Sequence, residues 1–216
     1  MSAEVPADWW PEVKPEAARR LMVAAIESFA RQGFHATTTR DIATAAGMSP
    51  AALYVHYPSK SAVLSAISRS GHEKGLHIAC AAAALESSPT VRMRAFVEEF
   101  VAWHARSHRA ARVVQYELNA LPETDFAVVA ELRRKTQQVV RDLIGAGLAT
   151  GDFSVPDVKT AARAVLSLSI DVARWYTDGS GQTPDELGRE YAALVLQMLG
   201  VHRPVGELPR SGATDL

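Results

Sequence analysis

Residues 33–60 read GFHATTTRDIATAAGMSPAALYVHYPSK, and this stretch decides the fold. Thr38 stands three residues before Asp41, the spacing of a capping box with Asp in place of the usual Glu. Ile42, Ala43 and Ala46 then share one face of a two-turn helix, and Gly47 supplies the left-handed residue that ends it. Ser49 caps the next helix, and Pro50 occupies its first position, where a missing N–H costs nothing. Leu53 and Tyr57 continue its inward face until Pro58 stops it; Ser59 recaps the chain and Lys60 opens a long helix. Two short helices joined at Ala46-Gly47-Met48-Ser49 make a helix-turn-helix, with the second as the reading helix.

The first turn of that helix presents Ser49, Pro50, Ala51 and Ala52, small side chains that let its N-terminus come close to DNA. Tyr54, His56 and Lys60 follow as donors to phosphates, while Thr38, Thr39 and Arg40 flank the site from the preceding helix. Tyr57, Ile42, Ala43, Leu53, Val63 and Leu64 read as core instead.

Flanking segments carry apolar residues at helical spacing, with no alternating run of β-branched and polar residues, so the chain reads as all-α. A first helix runs over 15–32 with Leu21, Ala25 and Phe29 on one face and Gly33 as its stop; later helices are expected over 91–108, 109–120, 125–147, 156–178 and 184–199. The domain division that follows is an arm over 1–15, a DNA-binding domain over 16–60, a helical ligand-binding and dimerisation domain over 61–200, and a mobile tail over 201–216.

The 216 residues carry 23 basic and 24 acidic side chains, a net charge of -1, so any nucleic-acid site is a local patch and not a global field. A single cysteine excludes an intramolecular disulfide framework and points to a reducing compartment. With no signal-like N-terminus and no apolar run of the roughly 20 residues that a membrane span requires, a cytoplasmic protein without membrane partners is expected.

The ordered pattern Gly33-Phe34, Thr37-Thr38-x-x-x-Ile42-Ala43, Ala46-Gly47-x-Ser49, Leu53-Tyr54-x-His56-Tyr57 and Ser59-Lys60 resembles the TetR-type bacterial transcriptional repressors over about residues 17–64. The resemblance implies a homodimer that binds a palindromic operator and is released by a small-molecule inducer. It assigns Lys60 to a phosphate, Tyr54 and His56 to backbone contacts, and it implies no cofactor and no enzymatic activity. Pro50 and Ala51 depart from the Lys or Arg followed by Gly that many members carry, and this bears on base specificity.

Apolar stripes on the last two helices, Val158, Ala161, Val165, Leu168, Val172 and Trp175 with Leu187, Tyr191, Leu194, Val195 and Met198, read as a dimer interface, as protomer core, or as both. Candidate ligand residues are Trp103, His104, Gln115, Tyr116 and Asn119 among apolar neighbours, and Asp171, Arg174 and Trp175 near the end of the penultimate helix. An i to i+3 surface ion pair is the plain reading of Asp171 and Arg174. Residues 169–176 and 183–192 are similar to a subgroup of these repressors that control fatty-acid or steroid catabolism with acyl-CoA inducers. That similarity implies Arg174 at a CoA phosphate or the thioester and Trp175 at the acyl tunnel. Alternatives are an efflux-type regulator sensing an amphipathic drug, a repressor sensing metal through His104 and His108 at i and i+4, a protein-binding helical adaptor, and a helical metal-dependent enzyme. Gly145-x-Gly147-x-x-x-Gly151 follows a helix and fails as a dinucleotide loop, and no Gly-x-Ser-x-Gly elbow is present.

Overall fold

The computed structural model describes residues 13–201; the remainder of the expected N-terminal arm and of the C-terminal tail lies outside the described residues. Among these residues all regular structure is helical: α1 (Glu16–Ala36), α2 (Thr39–Ala45), α3 (Pro50–His56), α4 (Lys60–Ala83), α5 (Pro89–Arg106), α6 (His108–Tyr116), α7 (Glu123–Thr150), α8 (Val158–Trp175) and α9 (Pro184–Met198), with a 3₁₀ turn at Leu118–Ala120.

Local signals account for most boundaries. The Thr38 hydroxyl accepts from the Asp41 amide, the Asp41 carboxylate accepts from the Thr38 amide, and Ser49 and Ser59 cap α3 and α4. Gly47 adopts φ 66°, as the turn requires. Gly33 departs from helical geometry at φ 79°, ψ 162° where the sequence places the end of α1, yet the chain makes a further turn to Ala36. The break between α5 and α6 falls at Ser107 with neither Gly nor Pro to mark it.

Two apolar clusters form the core. In the head, Leu21, Met22, Ile26 and Phe29 of α1 meet Ile42 of α2 and Leu53 of α3. The same cluster takes in Val63, Leu64 and Ile67 of α4 and Val113 and Val114 of α6, so the head is continuous in packing with the body. The body is organised around α5, whose Phe96, Val97, Phe100 and Val101 pack against Val140 and Ile144 of α7, Val165 and Val172 of α8, and Leu187 and Val195 of α9. Trp103 packs against both clusters. On α8 and α9 the stripes divide: Val165, Val172, Leu187 and Val195 are buried within the protomer, whereas Leu168, Trp175, Leu194 and Met198 stay 45%, 42%, 58% and 39% exposed.

Candidate DNA interface and ligand cavity

Ser49, Pro50, Ala51 and Tyr54 are exposed along the start and outer face of α3, with Ala52 and His56 half-buried. Tyr54 is tied back to the start of α2, its hydroxyl 3.1 Å from the Thr39 Oγ1, which fixes the two helices relative to one another on their solvent side. Arg40 is exposed beside them, and Thr38 is engaged in its own cap. These groups share one surface of the head, around a helix held in place by the burial of Leu53.

Lys60 sits differently from its neighbours. Its Nζ donates to the carbonyls of Phe34, His35 and Thr37 at 2.7, 3.1 and 2.8 Å and lies 4.4 Å from the centroid of the Phe34 ring. An ammonium has three N–H groups, so here all three serve the end of α1, where a positive charge also meets the negative end of the helix dipole. The amide of Phe34, left without a helical acceptor by the Gly33 kink, donates instead to Glu117 Oε1 at 3.0 Å. Glu117 follows α6, so the kink joins head to body. A second tie runs from Ser65 of α4 to Asp125 of α7, the hydroxyl donating to the carboxylate at 2.6 Å.

Between α4, α5, α6, α7 and α8 lies a cavity of about 470 Å3. Gly71 and Gly75 open room on the α4 side, and Phe100, Trp103, Val114, Phe126 and Ile170 supply apolar wall. Three of the expected ligand residues, Trp103, His104 and Gln115, line it; Tyr116, Asn119, Asp171, Arg174 and Trp175 do not. Tyr116 and Asn119 are exposed. Arg174 is engaged with Asp171 at 2.8 and 3.1 Å in an exposed pair, the plain reading of that spacing.

Sequence reading missed His72 of α4, Arg133, Arg134 and Gln137 of α7, and Arg163 of α8, all on the cavity wall. Arg134 pairs with Glu131, whereas Arg133 and Arg163 form no ion pair among the described residues. His72 is flanked by glycines at 71 and 75, a signal of open space beside a ring. His104 is fully buried, and burial holds its pKa down at about 4 against the opposing pull of its hydrogen bond to the Phe100 carbonyl. Burial likewise lowers His72. His104 and His108 face different surroundings despite their i, i+4 spacing, His108 lying against the Tyr176 ring at 5.7 Å. No helix among the described residues is long and apolar enough to cross a membrane.

Residues 21–67 match the family model "Bacterial regulatory proteins, tetR family", and residues 86–199 match "Tetracyclin repressor-like, C-terminal domain". The transcriptional repressor KstR2 of Rhodococcus jostii is 31% identical over 183 residues, covering 83% of this chain and 89% of that protein. A tetR-family regulatory protein from Rhodococcus RHA1 superposes with a TM-score of 0.81 at 41% identity, over 88% of this chain and all of that one. The ketosteroid transcriptional regulator KstR2 of Mycobacterium tuberculosis has a TM-score of 0.79 at 24% identity, over 89% and 98% of the two chains. AibR, solved with isovaleryl coenzyme A and operator DNA, has a TM-score of 0.73 at 20% identity, over 85% and 98%. At those two identities the likeness is one of fold.

Proposed function

The chain belongs to the TetR family and is a TetR-type transcriptional repressor, and from that premise we propose that it binds a palindromic operator as a homodimer and is released by an acyl-CoA of lipid or steroid catabolism. The observation that carries this reading is the cavity: an apolar interior whose α7 and α8 side holds the unpaired guanidiniums of Arg133 and Arg163. An acyl group suits the interior, and the phosphates of the carrier suit the arginines. The ketosteroid regulator KstR2 bears on the steroid side of this reading, and AibR, alike in fold, was solved with a coenzyme A thioester.

The helix-turn-helix surface provides the DNA contacts: Ser49, Pro50, Ala51, Ala52, Tyr54 and His56 from α3, and Thr38, Thr39 and Arg40 from α2. One reading helix covers only a few base pairs, so two copies are needed, and the exposed apolar residues of α8 and α9 form the face on which they meet. A regulator of chromosomal DNA acts in the cytoplasm. Ligand entering against α6 and α4 acts on the head through Glu117 and through α4 itself, and it lowers operator affinity to the extent that it prefers the DNA-incompetent arrangement.

Fluorescence anisotropy on labelled DNA from upstream of the gene, titrated with long-chain and steroid-derived acyl-CoA compounds, tests this. Tight, competitor-resistant binding that a thioester releases supports both parts. Binding that no thioester releases retains the repressor and removes the inducer class.

A further inference from the structure

The two imidazoles and the Thr136 hydroxyl in the cavity share one property. His104 is buried, and its Nδ1 lies 2.8 Å from the Phe100 carbonyl; His72 Nδ1 lies 2.7 Å from the Ser68 carbonyl. A carbonyl only accepts, so in each ring the Nδ1 carries the hydrogen. Burial favours the uncharged form of both rings, and Arg133 adds positive charge next to His72. Each imidazole therefore keeps a lone pair on Nε2, and among the described residues no hydrogen bond is made to either Nε2.

Thr136, on the same wall, follows the pattern: its hydroxyl donates to the Leu132 carbonyl at 3.0 Å and retains only accepting capacity. The Gln115 amide nitrogen donates one N–H to the Ile170 carbonyl at 3.4 Å, leaving a second N–H to donate and its oxygen to accept. The interior thus offers the imidazole and hydroxyl acceptors of His72, His104 and Thr136 among aromatic and aliphatic walls, with the amides of Gln115 and Gln137 able to donate or accept and the charged donors at Arg133 and Arg163.

We propose that His72 and His104 form a hydroxyl-selective subsite, which takes the alcohol on the apolar end of an amphiphilic anion and rejects the corresponding ketone. An alcohol O–H donates to an Nε2 lone pair, whereas a ketone oxygen brought to the same place meets lone pairs and leaves the imidazole acceptors unpaired. This inference rests on the reading of the cavity as the inducer site, and it adds the chemistry of the inducer's buried end.

The test uses the full-length protein with histidine labelled in nitrogen-15 and two small matched probes, cyclohexanol and cyclohexanone, which carry no thioester and no charge. Both rings are expected in the Nδ1–H tautomer. Cyclohexanol is expected to move the His104 Nε2 resonance, and to quench Trp103 at concentrations roughly five- to tenfold lower than cyclohexanone, the value of one neutral hydrogen bond. His104→Phe, which keeps a ring in place, is expected to bring that ratio near one, and His72→Phe to lower it.

An Nε2–H tautomer at either ring, equal or tighter binding of the ketone, or no response to either probe would overturn the proposal. The tautomers are read on the unmodified protein, so a variant that fails to fold does not remove the test. Preference for the alcohol without release of operator by any acyl-CoA would refute the inducer class and leave the subsite standing. Release by an acyl-CoA without alcohol preference would do the reverse.

Discussion

Replacing Glu117 by alanine tests whether the kink in α1 is a mechanical link between cavity and DNA. The Glu117 carboxylate accepts from the Phe34 amide at 3.0 Å, at a site partly shielded from solvent. A hydrogen bond to a charged group contributes about 1.5–3 kcal/mol, and partial exposure brings the expectation to about 1–2 kcal/mol, because water satisfies the freed amide in part. For a chain of this size each kcal/mol moves Tm by roughly 2–4 °C, so Glu117→Ala is expected to lower it by roughly 2–8 °C. Glu117→Gln, which keeps a neutral acceptor, is expected to lose about half as much. The functional readout is the ratio of operator Kd with and without a saturating acyl-CoA, measured by anisotropy. If α6 acts on the head through this bond, the ratio narrows by roughly threefold or more in the alanine variant and by less in the glutamine variant. A normal Tm together with an unchanged ratio would falsify the link and leave α4 and the apolar packing of Val113 and Val114 of α6 as the routes from cavity to head.

Acid should destabilise the protein through its buried imidazoles. His104 is neutral in the folded state down to about 4, whereas the unfolded chain takes up a proton below its ordinary value of 6.5. Stability from this group is complete above the unfolded value and is lost as pH falls from there toward 4, by roughly 3 kcal/mol at about 1.4 kcal/mol per unit. His72 and His108 are shifted in the same direction and steepen the loss, so the urea midpoint should fall from about pH 7 to about pH 5, and less so in His104→Phe. A Cβ at Gly188 would stand 2.4 Å from the Glu98 carbonyl oxygen, so Gly188→Ala should force α9 away from α5, costing about 1–3 kcal/mol in thermal unfolding and weakening self-association on a sizing column. Arg133→Gln and Arg163→Gln should each raise the half-effective acyl-CoA concentration roughly two- to fivefold, while Arg174→Ala, which removes only an exposed pair with Asp171, should leave it unchanged. Lys60→Met should lower Tm and leave the slope of log K against log salt as it is, since the ammonium is fully occupied at the end of α1; a slope smaller by about 0.9 per lost phosphate would return Lys60 to the DNA backbone.

The parts of the fold legible in the sequence are those that a few neighbouring residues determine. Thr38 with Asp41, Ser49 with Pro50, and Gly47 each act within one turn, so the helix-turn-helix could be read before any packing was known. Where a boundary depends on tertiary contacts, the reading slips. The α5–α6 break, expected between 108 and 109, falls at Ser107, and no breaker residue marks it. Likewise α1 outlasts Gly33 because Lys60 and Glu117, from 27 and 84 residues further along, satisfy the groups that the kink exposes.

The cavity illustrates the deeper limit, because its wall comes from five helices, and the sequence points only to the α5 and α6 contribution of Trp103, His104 and Gln115. Arg133 and Arg163 are exposed, so on a helical wheel they look like ordinary solvated surface, and His72 looks like one more residue in a small-residue helix. Asp171 and Arg174 drew attention because charge within an apolar stripe demands a partner, but each is the partner of the other, and the demand is met on the surface. His104 makes the opposite case. The apolar neighbours make it a ligand candidate in the sequence, but its Nδ1 is satisfied within its own helix, and the group left for a ligand shows only when α4 brings His72 to the same cavity, where two Nε2 acceptors share one apolar space. What a ligand must donate is therefore a property of the packing of α4 against α5, and it becomes readable only once the hydrogen bonds already made by each ring are subtracted from those it is able to make.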